Sequence, residues 1–399
     1  MANSLLTINM ITREAVRLFL NSNAFLQNID RQYDDRFAND GAKIGDTLRI
    51  RLPNDFTVRS GAAVSVQDTT EQSTTLTLAT QKGVDISYST RQRTMELDDF
   101  SDRVLAPAIN ALGGNVAADI MSGAEGGVSN IVGTTATAPT AATYLNAGAR
   151  LNMNSAPLGD RKVVNNMFTE ATIVNALSGL FNPSDRISKQ YTSGMMQQAI
   201  GFDWLMDQTV LIHTTGSFTA GTVSGASQTG LTLTTNATTG TLALGDIITI
   251  AGVDAVNRVT KETTGTLQQF VLTAAAASGA TSLSIYPAII PESGGSAVQY
   301  QTVVNSPANG AAISLAVAAA NEEYRKNLAY APDAVTMATA DLEIPQGVHE
   351  AARETFDGIS IRMVTAYVVQ TDQMITRLDI LYGYLWVRPE WAVTVLDPN

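Results

Sequence analysis

Imidazole, thiol and carboxylate are the side chains from which most enzyme chemistry is built, and this chain is short of the first two. It has only two histidines, His213 and His349, and no cysteine. Disulfides, thiolate zinc sites and cysteine nucleophiles are thereby excluded together. His213 ends the apolar run Val210-Leu211-Ile212, which reads as a strand. His349 stands beside Glu350, with Arg353 and Glu354 following, which predicts a helix. Neither has an HxxxH or HExxH partner at ligand spacing, so both read as structural or surface residues. The paired acids Asp34-Asp35, Asp98-Asp99 and Glu322-Glu323 offer a second route, general acid–base catalysis. Adjacent acids are ordinarily helix starts and solvated faces, and they are read so here. A GxSxG elbow, an SxxK pair and a GxxxxGK[ST] phosphate loop are all missing. The glycine-rich stretch 123–127 lacks the lysine and the following helix that a phosphate site needs. The residues assign no catalytic, cofactor or metal site.

More informative charges are Arg49, Arg51 and Arg59, followed by Arg91 and Arg93. The chain carries 37 acidic against 25 basic residues and a formal net charge of −12. On such a background these arginines could meet carboxylates of a second copy, or serve only as solubilising charges. Exposed pairs contribute roughly 0 to 1 kcal/mol each, so an interface use would set register more than strength. The same charge balance disfavours nucleic-acid binding, which neutralises phosphates with Lys and Arg. Charged residues make up 16%, below the usual share of about 25%. The Ala, Thr, Ser and Gly that replace them suit packed sheets and surfaces buried against other subunits. The first residues lack a basic n-region, and no window approaches eighteen uncharged apolar residues. The expectation is a protein that neither enters a membrane nor leaves the cell that makes it.

The periodicity places the elements. Thr12 is a candidate cap for a first helix with Val16, Phe19 and Leu20 on one face. That helix is either an arm docking on a neighbour or an ordinary part of the core. From Ile44 to Ser89 the alternation is that of strands, with Leu48, Ile50 and Leu52 set against Thr47, Arg49 and Arg51. Between them, residues 55–75 are too polar for a core and read as the tip of a long hairpin, laid on a neighbour or packed back on its own domain. Leu105, Ile109, Leu112, Val116 and Ile120 define the cleanest helix, started by Asp98, Asp99 or Ser101 and ended by Gly123, Gly126 and Gly127. Helices are expected over Tyr144–Met153, Thr169–Leu180, Ser193–Ile200 and Ile313–Asn327, with a strand over Lys162–Phe168. At Thr214 the composition shifts to Thr, Gly, Ser and Ala with strand alternation, up to about Val303. Within it Leu242–Thr260 reads as a strand–turn–strand unit, with Gly245-Asp246 before it and Gly252 marking the turn. The block fits one small sandwich or barrel set into a helix-and-strand body. The C-terminal strands Ile359–Val369 and Arg377–Val387 are apolar on both faces, which places the second of them centrally.

The order of these elements resembles that of the major coat proteins of tailed double-stranded DNA phages, with the fold named after phage Hong Kong ninety-seven. Three local matches narrow it to coat proteins of the phage P-twenty-two kind, which carry an inserted β domain. They are Gly201-Phe202-Asp203 ahead of the insertion, Gly245-Asp246 with Ile250-Ala251-Gly252-Val253 inside it, and Tyr382-Gly383 with Arg388-Pro389-Glu390 at the C-terminal end.

The resemblance implies an α+β fold of that type. It has an N-terminal arm (1–40), an extended hairpin loop with flanking strands (41–96) and a spine helix (97–126). A peripheral and axial body (127–213 and 304–399) is interrupted by a small all-β domain (214–303). It implies a subunit, not an enzyme, that self-assembles as hexamers and pentamers into an icosahedral shell, with a triangulation number of seven. Its partners are further copies of itself, a scaffolding protein, a portal and a decoration protein; no cofactor, membrane or sequence-specific nucleic acid is involved. It is expected in the virion, assembled in the host cytoplasm. Candidate inter-subunit contacts are Val16, Phe19, Leu20, Arg49, Arg51 and Arg59. The span Gly221–Leu242 is too short and too poor in charge to hold the acidic loop of that family, so the inserted domain is expected to stabilise its own subunit. Rival readings are a β-rich bacterial surface or adhesion protein and a carboxylate hydrolase. The missing signal and the long mid-chain helix oppose the first, and the lack of a convincing acid pair opposes the second.

Overall fold

The structure is a computed structural model that describes residues 8–33, 47–58, 61, 62, 64, 66, 72–89, 105–177, 198–292, 299–316 and 319–399. Arg59, Arg91, Arg93, the acids Asp34-Asp35 and Asp98-Asp99, and the expected start of the long helix lie outside the described residues. The fold is α+β, and the chain divides into two compact units. One holds residues 1–51, 73–120 and 335–387; the other holds 52–72, 121–334 and 388–399.

The first unit is organised by the strand Gln373–Trp386. Its first half pairs on two edges, with Ile359–Val368 and with Thr80–Ser89, and its second half pairs with Val335–Ala340. The successive residues Leu378, Asp379 and Ile380 are all buried, so both faces are covered, as a central strand requires. Two glycines let other backbone approach it. A Cβ on Gly383 would strike the Thr77 carbonyl, and one on Gly83 would lie 2.6 Å from the Leu378 carbonyl and against the Asp379 carboxylate. Asp379 is itself buried and is held by Arg362 Nη2 at 2.6 Å and Arg377 Nε at 2.9 Å. The helix Ile8–Ser22 lies on the strands Glu350–Phe356 and Ile359–Val368. It begins four residues before the expected cap, so Thr12 is a buried interior residue. The long helix Ala106–Gly123 buries Ile109, Leu112, Val116 and Ile120. It is fastened by Trp386 Nε1, which donates to the Ile120 carbonyl at 3.1 Å, and by Tyr382, whose hydroxyl donates to Asp119 at 2.6 Å.

In the second unit a seven-stranded sheet is built around Ala392–Pro398 and Glu323–Tyr330, which pair antiparallel over seven residues. Helices Ala141–Met153 and Met167–Leu177 cover it, with Tyr144, Leu151, Ile173 and Trp204 in a shared core. Into this body is set a six-stranded sheet made of Gly221–Thr222, Ala312–Leu315, Ile247–Val256, Thr263–Leu272, Ser282–Ile289 and Gly230–Thr234, in that spatial order. Backbone bonds between residues 219–224 and 234–239 join its two ends. The sheet therefore closes into a barrel without a free edge, around its own core of Phe218, Leu233, Ile250, Phe270, Leu272 and Ile285.

Four expectations are corrected. Residues 242–260 do not form two strands about a turn at Gly252. Ile247–Val256 is one strand, and Gly252, at φ +76°, marks a break in register between Thr249 and Asp254. Such an interruption bends a strand, as barrel closure demands, and the true hairpin turn is at Asn257–Glu262. The helix over Ile313–Asn327 is replaced by the strands Ala312–Leu315 and Glu323–Tyr330, because the edges awaiting them override the helix propensity of an alanine-rich segment. The barrel consequently ends at Leu315, beyond the boundary expected at 303. His349 precedes the strand Glu350–Phe356 and is not on a helix. Of the helix expected at 193–200, residues 193–197 lie outside the described residues and Gln198–Ala199 is a strand.

Replacing Gly383 by alanine tests the close approach to Thr77. The expected result is a loss of about 2–3 kcal/mol, read as a lower urea midpoint of the unassembled subunit at unchanged slope.

Candidate functional site

The sequence-derived contact residues separate into two groups. Val16, Phe19 and Leu20 are buried in their own unit. Their apolar face covers the strands Glu350–Phe356 and Ile359–Val368, so it is not displayed to a neighbour. The helix also holds the sheet through Arg13, whose Nε lies 3.0 Å from Glu354. Arg49 and Arg51 stand on Thr47–Leu52, which pairs with Gln72–Thr77. Here the alternation works as written: Leu48 and Ile50 pack with Leu76, Leu78 and Leu385, while Arg49 and Arg51 point outward and are exposed. Arg49 Nε donates to Ser73 Oγ at 2.9 Å, which steadies the guanidinium on the strand surface.

Beyond Leu52 the chain presents apolar side chains to solvent. Phe56 is 61% exposed, Val58 94%, Val64 81% and Val66 86%. Single exposed apolar residues are common, but four within so short a polar segment form a sticky stretch. Its root is fixed. Asn54 accepts from the Tyr300 hydroxyl at 3.3 Å, and Asp55 from Arg258 Nε at 2.8 Å. Arg258 Nη1 also donates to Glu390 at 2.6 Å, and Arg388 stacks on Trp391 with its guanidinium carbon 4.6 Å from the ring centre. Burial alone would lower the Arg258 pKa, yet Glu390 and Asp55 together hold it above its ordinary value. The Arg388-Pro389-Glu390 segment thus has a physical task, which is to join the barrel hairpin at Arg258 to the body and to the root of the loop.

A second junction surrounds His213. Its Nδ1 is 3.1 Å from Glu125 Oε1 and its Nε2 is 2.9 Å from Asp246 Oδ1. The other oxygen of Asp246 accepts from the backbone N–H groups of Ala243 at 2.7 Å and Gly216 at 3.1 Å. Lys326 Nζ donates to the Gly245 carbonyl at 3.1 Å and lies 3.8 Å from Glu125. Burial pushes the Lys326 amine down to about 8 against the pull of Glu125 and Asp246. Burial would raise the Glu125 carboxyl, but His213 and Lys326 keep it below its ordinary value. A buried amide adds a third link: Gln269 accepts from the Ile131 N–H at 2.9 Å and donates to the Ile131 carbonyl at 3.1 Å, pairing the strand edge as another strand would. Sequence reading missed these junctions, since residues 125, 213, 246 and 326 share no motif. The only signal was the pairing of a lone histidine with Gly245-Asp246 in a chain poor in charge.

These surfaces suit holding and being held. Each polar group of the His213 cluster is engaged with another, and among the described residues no group of three or more ligating side chains is arranged for a metal ion. No helix among the described residues is long and apolar enough to cross a membrane. The family described as P22 coat protein, gene protein 5, matches residues 1–396. No curated protein matches the chain in sequence. Among solved structures, the capsid of cyanophage P-SCSP1u is similar at 10% identity, over 94% of this chain and 89% of that one, with a TM-score of 0.46. The capsid of Ralstonia phage GP4 is similar at 7% identity, over 94% and 91%, also at 0.46. The CUS-3 coat protein I-domain is 31% identical over 24% of this chain and 94% of that one, with a TM-score of 0.20.

Substituting Arg258 by alanine leaves Asp55 and Glu390 without their shared cation. The expected cost is about 1–3 kcal/mol, reduced from the fully buried case because solvent reaches the pair. The loop root should become susceptible to limited proteolysis near Asp55 while the barrel core stays protected.

Proposed function

The chain belongs to the P22 coat protein family and is a major capsid protein that forms a phage shell and resides in the virion, and we propose that neighbouring copies are tied together by the loop 52–72. The observation that supports this reading is the exposure of Phe56, Val58, Val64 and Val66 beyond a root fixed by Arg258. Fully burying a Val or Phe side chain is worth about 1.5–3 kcal/mol. A loop anchored at its base and apolar further out gains that energy when it lies on a second subunit.

Arg49 and Arg51, on the strand leading into the loop, set its register against carboxylates of the neighbour. The 37 acidic residues make such partners abundant. Arg59 belongs to the same proposed contact. Contacts of this kind are heterologous, the loop of one copy meeting a different surface of the next, and they close a shell when the rotation is right. Hexamers and pentamers with a triangulation number of seven, a scaffolding protein, a portal and a decoration protein complete the reading. In it the helix Ala106–Gly123 is the spine and the barrel is an inserted stabilising domain. The subunit performs no catalytic step, and its acid surplus suits a container that holds DNA without binding it tightly.

The test is a variant with Val58, Val64 and Val66 replaced by serine, produced with and without a scaffolding protein and imaged by electron microscopy. The free subunit should melt like the parent, since these side chains touch little in it. Uniform shells should be lost, or need at least about tenfold more protein to form. Normal shells at the parental concentration would remove the loop from the interface.

A further inference from the structure

His213 stands where four elements meet. It lies on the strand Ile212–Thr214, which pairs with Glu323–Tyr330, the strand carrying Tyr324 and Lys326. Glu125 follows the end of the helix Ala106–Gly123, and Asp246 immediately precedes the barrel strand Ile247–Val256. A neutral imidazole has one N–H and one lone pair, whereas an imidazolium has two donors. Both ring nitrogens face a carboxylate oxygen, at 3.1 and 2.9 Å. In either neutral tautomer one nitrogen would set its lone pair against an anionic oxygen. Only the doubly protonated ring satisfies the geometry. The charges agree, because two carboxylates are balanced by one imidazolium and the Lys326 ammonium. Loss of the ring proton leaves an uncompensated negative charge among groups that are mostly buried, which is costly.

We propose that His213 is a proton-operated latch that holds residues 124–127 to the junction of the β barrel and the body, closed while both ring nitrogens hold a proton and open once one proton is lost. The two sides of the latch are unequal. Asp246 is fully buried and tied to two backbone N–H groups, while Glu125 is partly exposed and has Lys326 as an alternative partner. A ring left with one proton therefore stays on Asp246 and lets Glu125 go. The opening then begins at residues 124–127, just past the helix end.

The direction in pH follows. Burial lowers the His213 pKa, but Asp246 and Glu125 outweigh it and raise the group above 6.5, with Lys326 opposing them. The stabilisation is complete below that ordinary value and is lost as pH rises through the raised one. Lys326, at about 8, gives up its proton nearby and removes the last cation. Tyr324, its ring 5.3 Å from His213, is pushed up by burial and stays neutral throughout.

The test is hydrogen–deuterium exchange of the full chain between pH 6 and 9, with rates corrected for the intrinsic pH dependence of exchange. The peptide covering 121–130 should lose protection about tenfold or more as pH rises, while the peptide 240–247, still held by the ring, and the barrel core peptide 268–273 keep theirs. In Glu125→Gln the step should move to lower pH, because one carboxylate no longer holds the proton. In Lys326→Met it should persist at higher pH, and in His213→Gln it should vanish. Flat protection in the parent, or an unmoved step in Glu125→Gln, overturns the latch. Disappearance of the step in Lys326→Met alone assigns the titration to the lysine and overturns it equally. The Glu125→Gln and Lys326→Met arms decide the matter even where His213→Gln does not fold.

Discussion

The constraint on which most of this structure depends is that residues 373–398 supply interior strands of both sheets. Gln373–Trp386 is the strand about which the first unit is assembled, and Ala392–Pro398 lies between Asn130–Val132 and Glu323–Tyr330 in the second. Only residues 387–391, which include the short turn Pro389–Trp391, separate them. The contacts that these strands make to close each core therefore span much of the sequence. Topologies of that kind pay loop-closure entropy before their contacts reward it, and fold slowly. The glycines at 83 and 383 belong to the same constraint, since a central strand flanked so closely by backbone has no room for a Cβ.

Against that background the barrel has an intelligible place. Its strands are mostly linked by short connections, its edges are paired with one another, and its core is its own. Its strands pair within residues 219–315, whereas the body's sheet draws on residues 130–398. Once formed, it presents Arg258, Gln269 and Asp246 to the body from separate parts of its surface. These side chains grip Glu390, Ile131 and His213, so a self-sufficient module fixes the C-terminal turn, a sheet edge and a helix end together. An apolar junction could add stability of similar size. A polar one is sensitive to direction and charge, and so specifies one docking geometry.

Sequence reading succeeded where burial follows periodicity. The long helix and the outward arginines of Thr47–Leu52 were legible because one face of each is covered and the other is not, and the central C-terminal strand because both of its faces are apolar and covered. It failed where tertiary pairing decides. Residues 313–327 are rich in alanine and glutamate, yet two sheets needed strands there. Gly252 looked like a turn because a bulge and a turn ask the same thing of glycine, a positive φ. The apolar face of Val16, Phe19 and Leu20 was legible as a face, but periodicity does not say what covers it. The His213 junction was hidden for another reason. Its members lie on four segments far apart in sequence, and a buried ion cluster leaves no spacing rule behind.

The exposed loop and the buried cluster are opposite answers to one problem. A shell subunit must be stable alone, yet keep surface in reserve for its neighbours. Apolar groups can be kept waiting in water at modest cost, and four of them on one loop form a reserve that is realised only on contact. Charges cannot be buried and left waiting, so the ionic groups of the junctions are paired within the subunit before any neighbour arrives. The division assigns weak, reversible, additive contacts to the outside and directional contacts to the inside. Repeated over many copies, individually weak contacts give a strong shell whose misplaced subunits can still leave. Moving the strong ion pairs to the interface would reverse that order, making wrong contacts as persistent as right ones.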